Sequence, residues 1–212
     1  MKKTFLILAA AMLMVACGTP QKQDSNAETT TPDTLTTTTD TAAFHDFDYV
    51  NEFNGNPFTW FKDGGLLLAV GDKEHHNAMT IGWGALGNVW GYEVNTITVY
   101  VAPARYTYEF MEKYPYFTVM TFDDNHKDIL SYMGSHSGRD GNKEEALGLH
   151  VAYTEHGTPY YLEASEVYEC EIIYRDQFDR NGFGDVPTKR YENFPAGIHH
   201  MYIGKILSAK RK

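Results

Sequence analysis

The segment Gly82–Gly87, with the sequence GWGALG, matches the dinucleotide-binding pattern G-x-G-x-x-G, which in the right setting dictates a Rossmann fold. That fold needs a helix directly after the glycines and a carboxylate about 20 residues further on. Here the bulky Trp83 lies inside the turn, and the β-branched run Asn95–Ala102 follows where a helix is required. The residues at the required distance, Val101–Pro103, carry no carboxylate. The chain therefore needs another fold to explain these glycines.

Strand-like segments dominate the chain from Phe44 onward. In Asn95–Ala102, Ile97, Val99 and Val101 alternate with polar residues, the pattern of a half-buried strand. The predicted strands are Gly64–Gly71, Ala78–Gly84, Asn95–Ala102, Tyr116–Phe122, Tyr160–Phe178 and His199–Lys210. The predicted helices are Ala104–Tyr114, Asn125–Gly134, which Gly134 closes, and Asn142–Gly148. Many strands with short intervening helices favour a barrel with helical insertions over a parallel βαβ sheet.

The first 43 residues have the composition of a leader and a tether. Lys2 and Lys3 precede a 12-residue apolar run, which is too short to span a bilayer and typical of a signal peptide over residues 1–16. The sequence ending at Cys17 resembles a bacterial lipobox, which implies lipidation of Cys17; an ordinary signal peptide is the alternative. Residues 17–43 are Thr-rich and predict a flexible tether. We therefore expect a lipid-anchored protein of a Gram-negative cell envelope, on the periplasmic side or the outer membrane.

Two tripeptides in the tether, Asp33-Thr34-Leu35 and Asp40-Thr41-Ala42, resemble O-glycosylation sequons. A spacer that needs only solubility explains the same residues equally well.

Charge and cysteine content exclude several partners. Without Lys2 and Lys3, 16 basic residues remain against 28 acidic ones, a formal charge of −12 that argues against nucleic acid. Cys170 is the only other cysteine, so no cysteine-based metal site exists. The pairs His75-His76 and His199-His200 lack the spacing of a zinc site. We predict no metal.

Two segments carry the residue types that bind a phosphate group. Arg105 and Thr107 open a predicted helix, whose first N–H groups and dipole favour an anion. Ser137, Arg139 and Lys143 lie in a Gly-rich loop before another helix. Each cation alone has a plainer interpretation: Arg105 as a surface residue and Arg139 as the partner of Asp140 in a solvated ion pair.

Four ordered motifs resemble the flavin reductase-like FMN-binding split-barrel family, and its flavoredoxin-like branch in particular. They are N-x-M-T-x-x-W-G at Asn77–Gly84, x-P-x-R-Y-T at Ala102–Thr107, S-G-R-D at Ser137–Asp140, and H-x-x-Y-I-G at His199–Gly204. The resemblance covers nearly all of residues 44–212. It implies a mainly β domain with short helices, an FMN-binding split β-barrel of the Greek-key type.

The resemblance also implies the residues of the FMN site, and it leaves the catalytic residues unknown. The implied cofactor-binding residues are Asn77, Ala78, Met79, Thr80, Gly82, Trp83, Arg105, Tyr106, Thr107, Ser137, Gly138, Arg139 and Lys143. Gly82 and Gly84 would then let the backbone approach the flat flavin ring. Trp83 would pack at the flavin edge or in the core, and Trp90 in the core. The chain departs from the family at Asn142 and Glu144, where an acid and an aromatic residue are usual, and at Ala102 and Lys205.

The expected function is that of an FMN flavoprotein, a flavin reductase-like oxidoreductase that uses NAD(P)H or another electron donor. Two alternatives remain: a non-enzymatic FMN electron carrier with an envelope redox partner, and a flavin-free lipoprotein that binds a partner. A homodimer is expected from the resemblance and from the many tyrosines, which a domain of this size would hardly bury. Those tyrosines are Tyr100, Tyr106, Tyr108, Tyr132, Tyr160, Tyr161 and Tyr168.

Overall fold

The computed structural model describes residues 43–62 and 65–212, so the predicted signal peptide, Cys17 and tether residues 17–42 lie outside it. The strands are β1 (His45–Asp46), β2 (Leu66–Gly71), β3 (His76–Ile81), β4 (Gly84–Asn88), β5 (Asn95–Val101), β6 (Tyr116–Thr121), β7 (Val151–Tyr153), β8 (Pro159–Tyr161), β9 (Glu166–Gln177) and β10 (His200–Arg211). The α-helices are α1 (Tyr49–Glu52), α2 (Tyr106–Lys113), α3 (Lys127–Ser135), α4 (Lys143–Leu147) and α5 (Asp185–Tyr191). Two 3₁₀ turns lie at Asp124–His126 and Arg180–Gly182.

The main sheet is antiparallel throughout. Its strand order is β3-β2-β6-β9-β10-β5-β4, with β1 added to β10, and β7 and β8 form a separate hairpin. Antiparallel pairing at every position leaves no βαβ unit in the described residues. The prediction of a mainly β fold with short helices is therefore confirmed, and the Rossmann interpretation of the glycines is excluded.

Strand β2 lies between two apolar clusters, which explains why all six of its residues are buried. Leu66, Leu68 and Val70 belong to the larger cluster, together with the alternating residues of β5. On the other face of β2, Leu67 and Ala69 pack with Ile129, Leu130 and Met133 of α3. Strand β3, the neighbour of β2, lies at an edge of the sheet, and its Ala78 packs in the same cluster as the residues of α3.

The helix boundaries follow from local capping. Asn142 accepts the backbone N–H groups of Glu144 and Glu145 through its side chain, and Gly148 ends α4 with φ +64°, a left-handed conformation that favours glycine. The predicted end of α3 is wrong, because Gly134 lies inside that helix. A Cβ at Gly134 would lie 3.2 Å from Thr80 Cβ, so this glycine serves helix–sheet packing.

Two further features differ from the sequence-based expectation. Helix α5 had no predicted counterpart, although Asp185 and Pro187 in its first turn are residues typical of a helix start. Trp90 is not a core residue: it is 66% exposed and has a φ of +60° in the turn before β5. No helix within residues 43–62 and 65–212 is long and apolar enough to cross a membrane.

Candidate functional site

Three consecutive residues of β3 each contact another element, the first through an ion-pair distance and the other two through hydrogen bonds. His76 Nε2 lies 3.1 Å from Glu144 Oε1, and Asn77 Nδ2 donates to Thr107 Oγ1 at 2.7 Å. The carbonyl of the next residue, Ala78, accepts a hydrogen bond from Lys143 Nζ. These bonds fix the first turn of α2 and the start of α4 against the edge of the sheet.

A cavity of about 190 Å³, here called the anion cavity, lies where these elements meet. Its lining residues come from β3, the start of α2, the end of α3 and the loop before α4. They are Asn77, Met79, Ala104, Arg105, Tyr106, Thr107, Met133, Gly134, Ser135, His136, Ser137, Gly138, Asp140 and Lys143. Two cations and several hydroxyl and backbone donors converge here, which is the donor set that a phosphate group requires.

Gly138 is needed where the loop crosses β3. A Cβ at this position would overlap Asn77 Oδ1, so a larger residue would displace the side chain that is bonded to Thr107. The loop is held locally as well, because Ser137 Oγ accepts the N–H of Arg139 at 3.2 Å. Close approach of the loop backbone to Asn77 closes the anion cavity on this side.

Lys143 is a buried cation with 7% of its surface exposed. Its ammonium donates to the carbonyl oxygens of Ala78 and Met133, the latter at 3.5 Å. Burial lowers the pKa of Lys143, while the adjacent Glu144 carboxylate opposes that shift. A desolvated ammonium that lines the cavity interacts more strongly with an anion than an exposed lysine does.

A second cavity, here called the acidic cavity, has a volume of about 620 Å³ and shares Asn77, Tyr106, Gly138 and Lys143 with the anion cavity. Its remaining residues include acidic, basic and aromatic side chains. They are Glu74, His75, His76, Glu109, Phe110, Lys113, Tyr114, Gly141, Asn142 and Glu144.

A third cavity, here called the aromatic groove, measures about 830 Å³ and is built from different segments. Its lining residues are Pro57, Phe58, Phe61, Lys62, Gly82, Trp83, Gly84, Tyr100, Phe178, Gly182, Phe183, Val186, Pro187, Arg190 and Tyr191. The Arg190 guanidinium lies 5.1 Å from the centre of the Trp83 ring and 4.8 Å from that of Phe194. The groove is thus mainly aromatic and apolar, with Lys62 and Arg190 as its two cations and Arg190 placed over aromatic rings.

Residues 59–212 match the family model of the flavin reductase-like domain. The chain belongs to this family. A search of curated proteins found no match.

Solved structures of family-like proteins share the fold at low sequence identity. An FMN-binding domain of a flavin reductase-like enzyme from Shewanella baltica is 16% identical, with 80% of this chain and 77% of that chain covered and a TM-score of 0.56. Flavoredoxin of Desulfovibrio vulgaris is 22% identical, with 70% and 69% covered and a TM-score of 0.54. An NADH:FAD oxidoreductase of Streptomyces globisporus is 14% identical, with 70% and 74% covered and a TM-score of 0.51. At these identities the likeness shows the fold.

Eight of the thirteen residues implied by the family resemblance line the anion cavity. They are Asn77, Met79, Arg105, Tyr106, Thr107, Ser137, Gly138 and Lys143. Ala78 is buried beside them and takes part through its carbonyl, which accepts from Lys143. Residues far apart in the flavin reductase-like sequence motifs are thus brought together by the fold.

Arg139 does not line the anion cavity. It forms an ion pair with Glu109, and its guanidinium lies 4.7 Å from the centre of the Tyr106 ring. The alternative of an ion pair with Asp140 is wrong, because Glu109 of α2 is the partner, and a role of Arg139 in cofactor binding stays a prediction. The pair is about half exposed and adds little stability.

Thr80, Gly82 and Trp83 lie outside the anion cavity. The Thr80 hydroxyl donates to the Leu130 carbonyl of α3, whereas Gly82 and Trp83 line the aromatic groove. The neighbouring Gly84 is explained by packing, because a Cβ there would overlap the Phe61 ring. Close approach to the Phe61 ring accounts for Gly84, and the approach of Gly82 and Gly84 to a flavin ring stays a prediction.

His199 lies near residues of both regions. Its ring is 4.7 Å from that of Trp83, and its Nδ1 lies 2.9 Å from the Tyr191 hydroxyl. Burial, followed by the charges of Arg105 and Arg190, lowers the pKa of His199 to about 4. The imidazole is therefore neutral at physiological pH.

Two neighbours of the anion cavity, His76 and Glu144, contact each other. In the sequence, His76 belongs to a histidine pair that lacks the spacing of a zinc site, and Glu144 is a departure from the family pattern. Their positions directly beside Asn77 and Lys143 are the sequence signal that places them near the predicted phosphate site. Within the described residues, no group of three or more His, Cys, Asp or Glu side chains is arranged to hold a metal ion.

Proposed function

We propose that the domain from Phe44 to Lys212 binds FMN, with the phosphate in the anion cavity. The observation that carries this proposal is the convergence of Arg105, Thr107, Ser137 and Lys143 on one cavity. A phosphomonoester carries close to two negative charges at pH 7 and needs several charge-assisted hydrogen bonds. Gly138, where a side chain would fill the cavity wall, and the buried Lys143 both fit such a group.

Replacement of Arg105 tests the phosphate role. Arg105→Ala should weaken FMN binding by about 1.5–3 kcal/mol, the contribution of a hydrogen bond to a charged group, or roughly 10- to 150-fold. The affinity is measured by quenching of FMN fluorescence on the domain without its leader. Arg180→Ala, an exposed arginine outside all three cavities, is the matched control. Equal affinities of the two variants would remove Arg105 from the site.

The reaction we propose is flavin-dependent oxidoreduction with NAD(P)H or another donor. Bound FMN supplies the hydride and electron chemistry, while the chain binds and orients it. The family membership and the likeness to an NADH:FAD oxidoreductase favour a reductase. The likeness to a flavoredoxin keeps a non-enzymatic electron carrier as the second candidate. Consumption of NADH or NADPH by the FMN-loaded domain separates the two, and a colourless domain that takes up no FMN would favour the flavin-free partner-binding protein.

We also propose that Cys17 is lipidated and tethers the domain to the cell envelope. The apolar run that stops at Cys17, followed by the polar Thr-rich segment, supports this. Mass spectrometry of the mature protein should place the N-terminus at an acylated Cys17. Any other mature N-terminus contradicts the anchor.

A homodimer is the expected assembly, and exposed apolar side chains around the aromatic groove support it. Phe58 is 91% and Val186 83% exposed, which leaves apolar area uncovered. The tyrosines are weaker support than expected, because Tyr161 and Tyr168 are buried within the one domain. Light scattering at micromolar concentration should give a dimer, and Phe58→Ser with Val186→Ser should weaken it. A monomeric domain that binds one FMN per chain rules out a shared site.

A further inference from the structure

The His76 side chain is placed between two hydrogen-bond acceptors. Its Nε2 lies 3.1 Å from Glu144 Oε1, and its Nδ1 lies 3.1 Å from the carbonyl oxygen of Asp72. The Nδ1 contact is a hydrogen bond, whereas the Nε2 contact has the distance of an ion pair without the alignment of a hydrogen bond. A carboxylate 3.1 Å from a buried ring nitrogen favours the charged form of the ring, so the geometry favours the imidazolium form of His76.

Glu144 is held as the ionised partner. Its Oε1 accepts the hydroxyl of Tyr161 at 2.6 Å in addition to the contact with His76. Burial by itself raises the pKa of Glu144, but the hydrogen bonds from His76 and Tyr161 outweigh it, so the pKa is lowered. The hydrogen bond to Glu144 is in turn the main cause of the raised pKa of His76. Both shifts describe one charged pair.

This pair joins the two segments that carry the buried groups of the anion cavity. His76 directly precedes Asn77, which is bonded to Thr107, and Glu144 directly follows Lys143, which is bonded to the Ala78 carbonyl. We propose that His76 and Glu144 are positioning residues, whose ion pair holds β3 against α4 and keeps Lys143 available to the phosphate. This inference rests on the proposed binding of FMN.

The pair also controls the charge next to the cavity. Without the imidazolium, the Glu144 carboxylate would face Lys143 and the bound phosphate with its charge uncompensated. Electrostatic repulsion of the phosphate and competition for Lys143 would both lower the affinity. Other titratable or charged groups that face His76 are Asp72, Glu74 and His75 before β3, Lys143 on α4, Tyr153 on β7, Tyr161 on β8, and Glu109 and Lys113 across the acidic cavity.

The sign of the pH dependence follows from the direction of the His76 shift. A histidine whose pKa is raised in the folded protein keeps its proton at low pH and loses it as pH rises through that raised value. FMN affinity should therefore fall as pH rises past the pKa of His76. The FMN phosphate changes charge near pH 6 in every variant. Loss of the Glu144 carboxylate lowers the pKa of Lys143 further, so the contribution of His76 is measured from the difference between the wild type and His76→Phe, which both keep Glu144.

The experiment compares FMN affinity from pH 6 to 9 in the wild-type domain, Glu144→Gln, His76→Phe, and the double variant. His76→Phe should bind FMN about tenfold more weakly than wild type near neutral pH, the scale of a lost charged hydrogen bond. The double variant should recover part of that loss, because it also removes the uncompensated carboxylate. In Glu144→Gln, the FMN affinity should not show the fall that the wild type shows as pH rises past the pKa of His76. Glu163→Gln is the matched control, because Glu163 forms a similar pair with the exposed His150 at 2.7 Å.

The outcomes separate this inference from the proposed function. A wild-type domain that binds no FMN overturns the proposed function and the positioning role together. Wild-type binding with an unchanged pH profile in Glu144→Gln overturns the positioning role alone. The apo domain gives an independent readout: the NMR titration of the His76 ring should shift to lower pH in Glu144→Gln and stay unchanged in Glu163→Gln. Thermal unfolding of each variant establishes that the comparison is between folded proteins.

Discussion

The anion cavity and the aromatic groove differ in the burial and hydrogen bonding of their side chains. Around the anion cavity, Asn77, Thr107 and Lys143 are buried and each is hydrogen-bonded to a neighbouring element. Around the groove, Phe58 and Val186 are largely exposed. A buried, hydrogen-bonded polar site is organised before its ligand arrives, whereas exposed apolar area is favourable only when something covers it. The first therefore supports the proposed cofactor site, and the second supports the proposed association.

One continuous sequence motif contributes residues to both regions. Asn77–Met79 contribute to the anion cavity, and Gly82–Gly84 contribute to the groove. Thr80, between them, is bonded to α3. A single motif can thus belong to two surfaces, because β3 ends at Ile81 and the chain turns away from the sheet edge. The predictions below test whether the two regions are functionally separate.

The largest effect is expected at Lys143. Lys143→Met should weaken FMN binding roughly 10- to 100-fold by removing a buried cation from the phosphate site. The free energy of unfolding should change little, because the lost desolvation cost of the buried ammonium offsets the loss of its hydrogen bonds to Ala78 and Met133. Fluorescence titration and chemical denaturation measure the two quantities. Lys205→Met, an exposed lysine on β10, is the control and should change neither.

An intermediate effect is expected at Gly84, and it should affect stability alone. Gly84→Ala places a Cβ into the Phe61 ring and should lower the free energy of unfolding by about 1–3 kcal/mol. Gly87→Ala meets no atom within 4 Å and should stay within about 0.5 kcal/mol of wild type. FMN affinity should be unchanged in both. A Gly84→Ala variant that loses FMN affinity without losing stability would indicate that Gly84 contacts the flavin.

The smallest effect concerns His199, which lies near cations of both regions. Its pKa of about 4 is below the ordinary value near 6.5, so the unfolded chain binds the proton more readily between these values. Stability should therefore fall as pH drops from about 6.5 to about 4, by on the order of 1–2 kcal/mol. His199→Gln should reduce this acid sensitivity in urea unfolding measured at several pH values. An unchanged slope would mean that other groups cause it.

Local patterns predicted the elements where one interaction type dominates. The alternation of Ile97, Val99 and Val101 predicted β5 because these three residues share the face that packs into the larger apolar cluster. Asn142 and Gly148 predicted α4 because caps act within one turn. Gly134 was predicted to end α3, but the position requires a small residue because Thr80, which is distant in sequence, packs against it. Trp90 misled the prediction because hydrophobicity alone does not place a side chain in the core.

The sequence predicted which residue types form the candidate site, but it did not predict which individual residues line the cavity. Arg105 and Arg139 have the same chemistry and lie in equally convincing motifs. Glu109, 30 residues from Arg139, decides between them by drawing that guanidinium into an ion pair outside the cavity. A partner so distant in sequence leaves no signal in the motif itself.

The sequence by itself determined the mainly β architecture, the capped helices and the phosphate-type residues, because periodicity, capping and charge act over a few residues. Tertiary structure alone decided which of those residues share a cavity. Asn77, Thr107 and Lys143 meet because β2 and β6 hold β3 at the sheet edge, where α2 and α4 pack against it. It also decided that His76 Nε2 lies 3.1 Å from Glu144 Oε1, a neighbour 68 positions away in the sequence.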